Sequence, residues 1–576
     1  MATHSALRIV VVGGVAGGAS AATRARRCNE HAEIVLIEKD EFVSFANCGM
    51  PYHIGGEIPD RNKLLVASAA LLRNRFRIDV RERCQAISID RANRTLHVRN
   101  LRDNSEYQLP WDRLILSPGA SPFVPPVPGA DAAGVFTLRN IADMDRIAAA
   151  VATTAAAAPT ATIAPAASPA PVPRRAVVVG AGFIGLELVE QLARRGFHVA
   201  LVEQNNQVLP PLDAEIAASL HEELRRHNIE LHLGHSLRQI ITENSAAAGV
   251  QLSNNQIIPG SLILLGLGVR PNVQLAVDAA LPLGRTGGIL TNRFHQTADT
   301  DIYAVGDAAE YFCEPQSQWS RVALAGPANR AGRLAGEHAA TGRSAASAPV
   351  LGTAVLRVFE LAAGMTGLTV KAARKAGFDV RSATVIAGQH AGYFPGATPI
   401  TLKLVYEART GKLLGAQAVG RDGVDKRIDV IATAIALKAS VRDLAGLDLA
   451  YAPPFGAAKD PIHQAAFVAC NELDGFAIMH NAEDSLAGFQ VVDVRTAAEV
   501  AKTPLNGLSG ILFLKNIPVD ELRQRLNELD PSLPTVVSCG VGVRGHVAQR
   551  ILQQNGFKEV RNLTGGATLR QRAVPE

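Results

Sequence analysis

The sequence predicts an α/β architecture in which one nucleotide-binding arrangement occurs twice, followed by an α+β domain and a smaller α/β domain. Three observations carry that expectation. Residues 7–12 (LRIVVV) form a short β-branched run, followed by a glycine cluster, an Ala/Arg-rich helical stretch and a second strand at 34–38, IVLIE. Strand, glycine turn, helix, strand is the opening of a Rossmann-like fold. The same order recurs at 176–203, from AVVVG through a glycine turn and an amphipathic helix to VALVE. Two such folds imply two nucleotide cofactors. Finally, 576 residues exceed what one core holds and point to three or four domains.

In chain order, residues 1–147 with 285–345 form the first nucleotide-binding domain and residues 174–284 the second. Between them, residues 148–173 are almost entirely Ala, Thr and Pro. Prolines at 159, 165, 169, 171 and 173 rule out a continuous helix there, and the stretch reads as a mobile, exposed insertion. From 346 to 471, alternating strands (TLKLVYEA, KLLGAQAVG) and a helix near 425–438 suggest an α+β domain of the type used for dimerisation. A polar stretch at 480–488 (HNAEDSLAG) leads into a last α/β unit, 485–576, with its own strands, FQVVDV and TVVSC.

The bulk chemistry narrows the partners. The formal charge is only +5, and no basic run is interleaved with aromatics, so nucleic acid is disfavoured and anionic small molecules are favoured. Six cysteines in so long a chain make no disulfide framework; they suggest a reducing compartment where a special cysteine is reactive. The strand pattern begins almost at once, leaving no room for a signal peptide. No apolar run approaches the ~20 residues that span a bilayer. A cytoplasmic protein without a membrane partner is expected, and no residues are assigned to a metal.

The glycine turns localise the cofactors. The second is Gly180-Ala181-Gly182-Phe183-Ile184-Gly185, with Glu203 closing the next strand. Glycines let the backbone approach a pyrophosphate at the helix N-terminus. An acid at the end of the second strand accepts ribose hydroxyls and repels a 2′-phosphate, which favours NADH and leaves NADPH open. Gly180, Gly182, Ile184, Gly185 and Glu203 are the candidate contacts. The first turn, Gly13-Gly14-Val15-Ala16-Gly17-Gly18, departs from the pattern: with Gly13 and Gly18 as its ends, Val15 stands at the middle glycine. Glu38 still ends the following strand, about 20 residues on. Gly13, Ala16, Gly17, Gly18 and Glu38 form the corresponding set.

A third segment, Thr300-Asp301-Ile302-Tyr303-Ala304-Val305-Gly306-Asp307, resembles the GD motif of the glutathione-reductase-like flavoproteins, whose aspartate holds the FAD ribityl chain. Leu116-Ser117-Pro118-Gly119-Ala120 and Leu267-Gly268-Val269-Arg270-Pro271 match two further turns of that superfamily. The resemblance implies FAD on the first fold and NAD(P)H on the second, and adds Ser117, Gly119, Gly268 and Asp307 to the cofactor set.

Ser44-Phe45-Ala46-Asn47-Cys48-Gly49-Met50-Pro51-Tyr52 carries the chemistry. Dithiol members of the superfamily place two cysteines four residues apart here; this chain has only Cys48. A single thiol beside a flavin is oxidised only by pairing with a sulfenic oxygen, a second sulfur atom or a small thiol. The motif resembles the single-cysteine branch that includes coenzyme A-disulfide reductases, NADH peroxidases and water-forming NADH oxidases, over residues 7–471 apart from the insertion.

Segments Gln389–Gly396 (QHAGYFPG) and Tyr451–Asp460 (YAPPFGAAKD) look like the C-terminal signatures of the coenzyme A-disulfide reductases. There, two tyrosines reach from the partner subunit towards the cysteine; they carry over to Tyr393 and Tyr451 and imply a homodimer. A phenol can hydrogen-bond a departing thiolate or give it a proton. Peroxidases of the branch use a histidine where this chain has Ala16. Relatives bind the coenzyme A moiety, as substrate or ligand, through positions that match Ser20, Arg24, Arg27, Ser44, Asn47, Asn329 and Lys459. Arg24 and Arg27 lie three apart on one helix face and could clamp phosphates. One family lysine falls on Phe76, with Arg73, Arg75 and Arg77 adjacent.

Residues 491–495 (VVDVR) and 535–546 (TVVSCGVGVRGH) look like rhodanese signatures. Successive N–H groups of the loop Cys539-Gly540-Val541-Gly542-Val543-Arg544 can curl around Sγ, with the helix and Arg544 adding positive potential. Asp493 and Arg495 are expected to hold the fold. Two sulfur centres on one chain imply an FAD- and NAD(P)H-dependent reductase of sulfane sulfur: coenzyme A persulfide, polysulfide or coenzyme A disulfide. An NADH oxidase or peroxidase with a Cys48 sulfenate, or a sulfur-carrier or redox-sensing protein, are the alternatives.

Overall fold

The computed structural model describes residues 6–156 and 174–574. The chain divides into two compact units, 1–206 with 228–352 and 207–227 with 353–576.

The first unit holds both nucleotide-binding sheets. One is five-stranded and parallel, in the order Ile302–Ala304, Arg113–Leu116, Arg8–Val12, Glu33–Glu38, Asp79–Glu82. Its β-branched interior strands are buried on both faces, as a parallel sheet requires. On one face, helix Ala16–Cys28 packs against helix Ala325–Thr341. A Cβ on Gly332 would lie 2.1 Å from the Gly17 carbonyl oxygen, and one on Gly336 2.2 Å from that of Ala21. Glycines four apart thus let the two backbones touch. The second sheet repeats the plan: Glu230–Leu233, His198–Glu203, Arg175–Val179, Leu262–Leu265, then Val135–Phe136. That last strand precedes residue 148, so the second fold draws its edge from a segment the sequence suggested belonged wholly to the first.

Residues 148–156, expected to belong to an exposed insertion, are helical. Helix Ile141–Ala156 runs through residues 148–156. Alanine is the strongest helix former, and the first proline stands only at 159. The expectation for 157–173 lies outside the described residues.

The second unit contains an antiparallel sheet, Ala354–Val358, Leu361–Gly367, Leu413–Gly420, Pro399–Glu407, Val380–Gly388, with helices Val424–Ala436 and Pro461–Leu473 packed on it. It also contains a parallel sheet in the order Met479–His480, Val560–Leu563, Thr535–Ser538, Gln490–Asp493, Phe513–Asn516. Strand Met479–His480 carries this last domain upstream of residue 485. Helix Ala214–Arg226 belongs to this unit too and packs on helix Gly566–Ala573, where Arg572 pairs with Glu222 at 3.3 Å.

Candidate active site

The two glycine turns are built alike. A Cβ on Gly13 would lie 2.0 Å from the Ser117 carbonyl oxygen and one on Gly18 1.8 Å from that of Gly13. In the second turn, Gly180 stands in the same relation to Gly266 at 2.4 Å and Gly185 to Gly180 at 1.9 Å. Val15 and Gly182 are the corresponding residues immediately before each helix. A Cβ on Gly182 would meet nothing within 4 Å, which explains why this position admits a valine in the first turn. Ala16 opens the first helix and Ile184 lies exposed in the first turn of the second.

Each strand-end acid is buried and bound by its own turn. Glu38 accepts the N–H groups of Gly14 at 2.7 Å and Asp40 at 2.9 Å. Burial raises its carboxyl above the usual range. Glu203 accepts those of Ala181 and Asn205, both at 2.9 Å, and the Asn205 amide at 2.6 Å. Gly119 and Gly268 both have positive φ, +69° and +87°. Ser117 Oγ lies 2.9 Å from where a Gly17 Cβ would stand, and Asp307, in the turn Gly306–Ala308, pairs with Arg139 at 3.2 Å. Two cradles that exclude a Cβ, each facing a buried acid, fit two dinucleotides.

Cys48 lies in a short turn, Asn47–Gly49, leading into helix Met50–Gly55, which Pro51 helps start. Ser44, at φ +47°, donates its N–H to the Gly14 carbonyl at 2.8 Å and so ties the segment to the first glycine turn. Asn47 donates to the Arg139 carbonyl at 3.0 Å. Cys48 is partly open to solvent, yet partial desolvation pushes its thiol above the usual range, and the carboxylates of Glu187 and Asp307 push the same way. Glu187 projects from the second fold's helix Phe183–Arg194 and accepts the Tyr52 hydroxyl at 3.2 Å. Sequence reasoning missed it; its only local signal is an acid two residues past the last glycine of the turn.

In the second unit the Tyr393 and Tyr451 hydroxyls hydrogen-bond each other at 2.9 Å, with the side chains 77% and 48% exposed. Phe394, next to Tyr393, and Phe455, four residues past Tyr451, are exposed as well. The two tyrosine segments are held together from below. Arg427, fully buried, donates to Asp460 and to the Gln389 carbonyl, each at 2.7 Å, and Ala391 N–H donates to the Gly456 carbonyl at 2.8 Å. Arg427 also escaped the sequence reading, because its helix gives no hint of partners 33 and 38 residues away.

The expected coenzyme A contacts divide. Ser20 donates to Asn329 at 2.6 Å, joining two of them across the paired helices. Arg24 is engaged by Glu337, its Nε at 3.0 Å, while Arg27 is exposed and turns back to the Thr23 carbonyl. The expected clamp of two free guanidinium groups is therefore reduced to one. Lys459 is exposed, as are Arg73, Arg75 and Arg77 around Phe76.

Cys539 follows strand Thr535–Ser538 and is buried; Gly542 N–H donates to its Sγ at 3.1 Å, from a backbone at φ +102° that glycine permits. Helix Val543–Gln554 starts immediately after. Asp493 and Arg495 form a buried pair at 2.6 Å, a fold-holding role as expected. Arg544 does not add a free positive charge: it forms a two-point pair with Glu499, at 2.9 and 2.6 Å.

A solvent-reachable thiol next to two dinucleotide cradles defines a nicotinamide-dependent thiol oxidoreductase. The chain belongs to the pyridine nucleotide-disulphide oxidoreductase family, whose profile matches residues 7–332; the profile of that family's dimerisation domain matches 353–461 and that of the rhodanese-like domain 479–569. It is 31% identical over 467 residues to the coenzyme A disulfide reductase of Staphylococcus aureus strain JH9, covering 80% of this chain and 99% of that one. Reduced Bacillus anthracis CoADR-RHD superposes with a TM-score of 0.90 at 40% identity, covering 99% of both chains. The NAD-dependent persulfide reductase from A. fulgidus superposes at 0.88 and 33% identity, covering 98% of this chain and all of the other. Among the described residues no helix is long and apolar enough to cross a membrane.

Proposed function

We propose that this protein uses reduced nicotinamide and FAD to reduce S–S bonds at Cys48, in persulfides, polysulfide and coenzyme A disulfide, while Cys539 carries persulfide sulfur. The observation that carries this reading is the pairing of a lone redox thiol beside two nucleotide cradles with a second, buried sulfur cradled by a backbone N–H. The Cys48 thiolate attacks the substrate S–S bond. That bond breaks, a thiolate or hydrosulfide leaves with the electron pair, and Cys48 keeps the other half. When bound, FAD supplies the two-electron relay from nicotinamide that frees Cys48 again. Gly13, Gly17, Gly18, Glu38, Ser117 and Asp307 would hold FAD; Gly180, Gly182, Gly185 and Glu203 would hold NADH in preference to NADPH.

The reading includes a homodimer, supported by the dimerisation-domain match and by the exposed Tyr393–Tyr451 pair, which has a hydrogen-bonding edge free to serve a partner's leaving thiolate. Ser20, Asn329, Arg27, Ser44, Asn47 and Lys459 would contact the coenzyme A moiety. The test is anaerobic NADH oxidation with coenzyme A persulfide, polysulfide and coenzyme A disulfide, against aerobic oxidation with oxygen alone. Sulfur acceptors are expected to be turned over at least about a hundredfold faster than oxygen, a difference of ~2.7 kcal/mol in barrier. Faster turnover with oxygen would replace this reading with an oxidase.

A further inference from the structure

Arg544 was expected to lend its charge to the Cys539 loop, and the structure assigns that charge elsewhere. Its guanidinium sits at the loop: a Cβ on Gly540 would lie 3.6 Å from Nη2. Both terminal nitrogens nevertheless point to the two oxygens of Glu499. Glu499 is not free to swing away. It is the third residue of helix Ala497–Lys502 and closes a capping box, accepting the Thr496 N–H at 2.9 Å and hydroxyl at 3.0 Å. The Arg544 hydrogen bonds, and after them those donors, bring its carboxyl down to about 2, so it stays charged at any working pH.

We infer that Glu499 sets the donor specificity of the Cys539 site: by holding Arg544 in an internal ion pair, it leaves the loop able to stabilise one negative charge and selects persulfides over the dianion thiosulfate. The inference rests on the reading that Cys539 carries sulfane sulfur. With the pair neutral, the remaining attraction comes from the Gly542 N–H and the start of helix Val543–Gln554. That suffices for a persulfide donor. The Cys539 thiolate attacks the terminal sulfur of R–S–SH, the S–S bond breaks, R–S⁻ leaves with the electron pair, and Cys539–S–SH remains. With thiosulfate the same attack expels sulfite, and two negative charges must approach a thiolate whose neighbour Arg544 is already paired with Glu499. Glu499 acts through Arg544 and is a positioning residue.

The test uses the full-length FAD-loaded protein and follows persulfide formation on the Cys539 peptide by mass after trapping, with glutathione persulfide and with thiosulfate as donors. Glutamine at 499 keeps the cap but removes the charge. Glu499→Gln is expected to raise the thiosulfate-to-persulfide rate ratio at least about tenfold (~1.4 kcal/mol). The gain should shrink as salt is raised, since both partners are partly exposed. It should vanish in Glu499→Gln/Arg544→Gln, because the freed guanidinium causes it. An unchanged ratio in Glu499→Gln, with both donors still loading Cys539, overturns the inference and leaves the reading of Cys539 intact. Wild-type protein that loads Cys539 from neither donor overturns both.

Discussion

The two cysteines are surrounded in opposite ways. Cys48 is reachable from solvent, and its electrostatic neighbours, Glu187 and Asp307, are carboxylates that disfavour a thiolate. Cys539 is buried, and its sulfur accepts a backbone N–H at the start of a helix. The first environment resists a thiolate at rest, so Cys48 attacks through its minor deprotonated fraction. The second stabilises an anion in place, so a sulfur attached there is kept. The two thiols thus differ less in the residue than in whether desolvation and nearby carboxylates, or the N–H of a glycine at a helix start, dominate their surroundings.

Away from the cysteines themselves, that contrast can be broken most severely at Arg427. Lysine there keeps the charge but cannot span both Asp460 and the Gln389 carbonyl. Arg427→Lys is expected to loosen both tyrosine segments and lower sulfur reduction about a hundredfold, the cost of misplacing groups by roughly an ångström. Persulfide loading of Cys539 should stay within about twofold. Equal loss of both activities in stopped assays would mean that the two centres share a support the contrast does not include.

A smaller effect concerns the electron donor, which only the Cys48 reaction needs. Glu203 is held in place at the end of its strand by the N–H groups of Ala181 and Asn205. One phosphate–carboxylate contact costs at least ~1.4 kcal/mol, so kcat/KM for NADH should exceed that for NADPH by about tenfold or more. Glu203→Gln should narrow the ratio without touching sulfur loading of Cys539. Equal kcat/KM for the two nucleotides in wild-type protein would remove Glu203 from this role.

The smallest effect sharpens the comparison itself. Because partial desolvation raises the Cys48 thiol, with the Glu187 and Asp307 carboxylates acting the same way, the rate should climb as pH rises through the raised thiol range. Glutamine at 187 keeps the Tyr52 hydrogen bond and removes the charge. Glu187→Gln is therefore expected to shift the rising limb to lower pH and to raise the rate at pH 7. A limb that moves to higher pH would reverse the sign of the assigned interaction.

Much of this was legible in the sequence, and the reasons are local. Gly13 and Gly18, Gly180 and Gly185, and the acids Glu38 and Glu203 act through spacing along a few turns of chain, which periodicity exposes. Cys48 and Cys539 stand in loops whose residues fix their own backbone. What escaped was pairing at a distance. Arg24 reads as a free phosphate ligand until Glu337, 313 residues on, is folded against it. Arg544 reads as a free cation until Glu499, 45 residues back, claims it. Strand Val135–Phe136 is two residues long and has no alternation to detect. The helix over 148–156 follows its run of alanines, and the first proline of the stretch stands only at 159.

The central claim is that Cys48 reduces and Cys539 stores, and it is tested most directly by one two-by-two measurement. Cys48→Ser and Cys539→Ser are each assayed for NADH-dependent reduction of coenzyme A persulfide and for sulfur transfer to cyanide. Cys48→Ser should lose reduction by at least about a thousandfold (~4.1 kcal/mol) while keeping FAD and sulfur transfer. Cys539→Ser should lose transfer and keep reduction within about twofold. If Cys539→Ser lost reduction as completely as Cys48→Ser, the two sulfurs would form one obligatory relay, and the division of labour between them would be wrong.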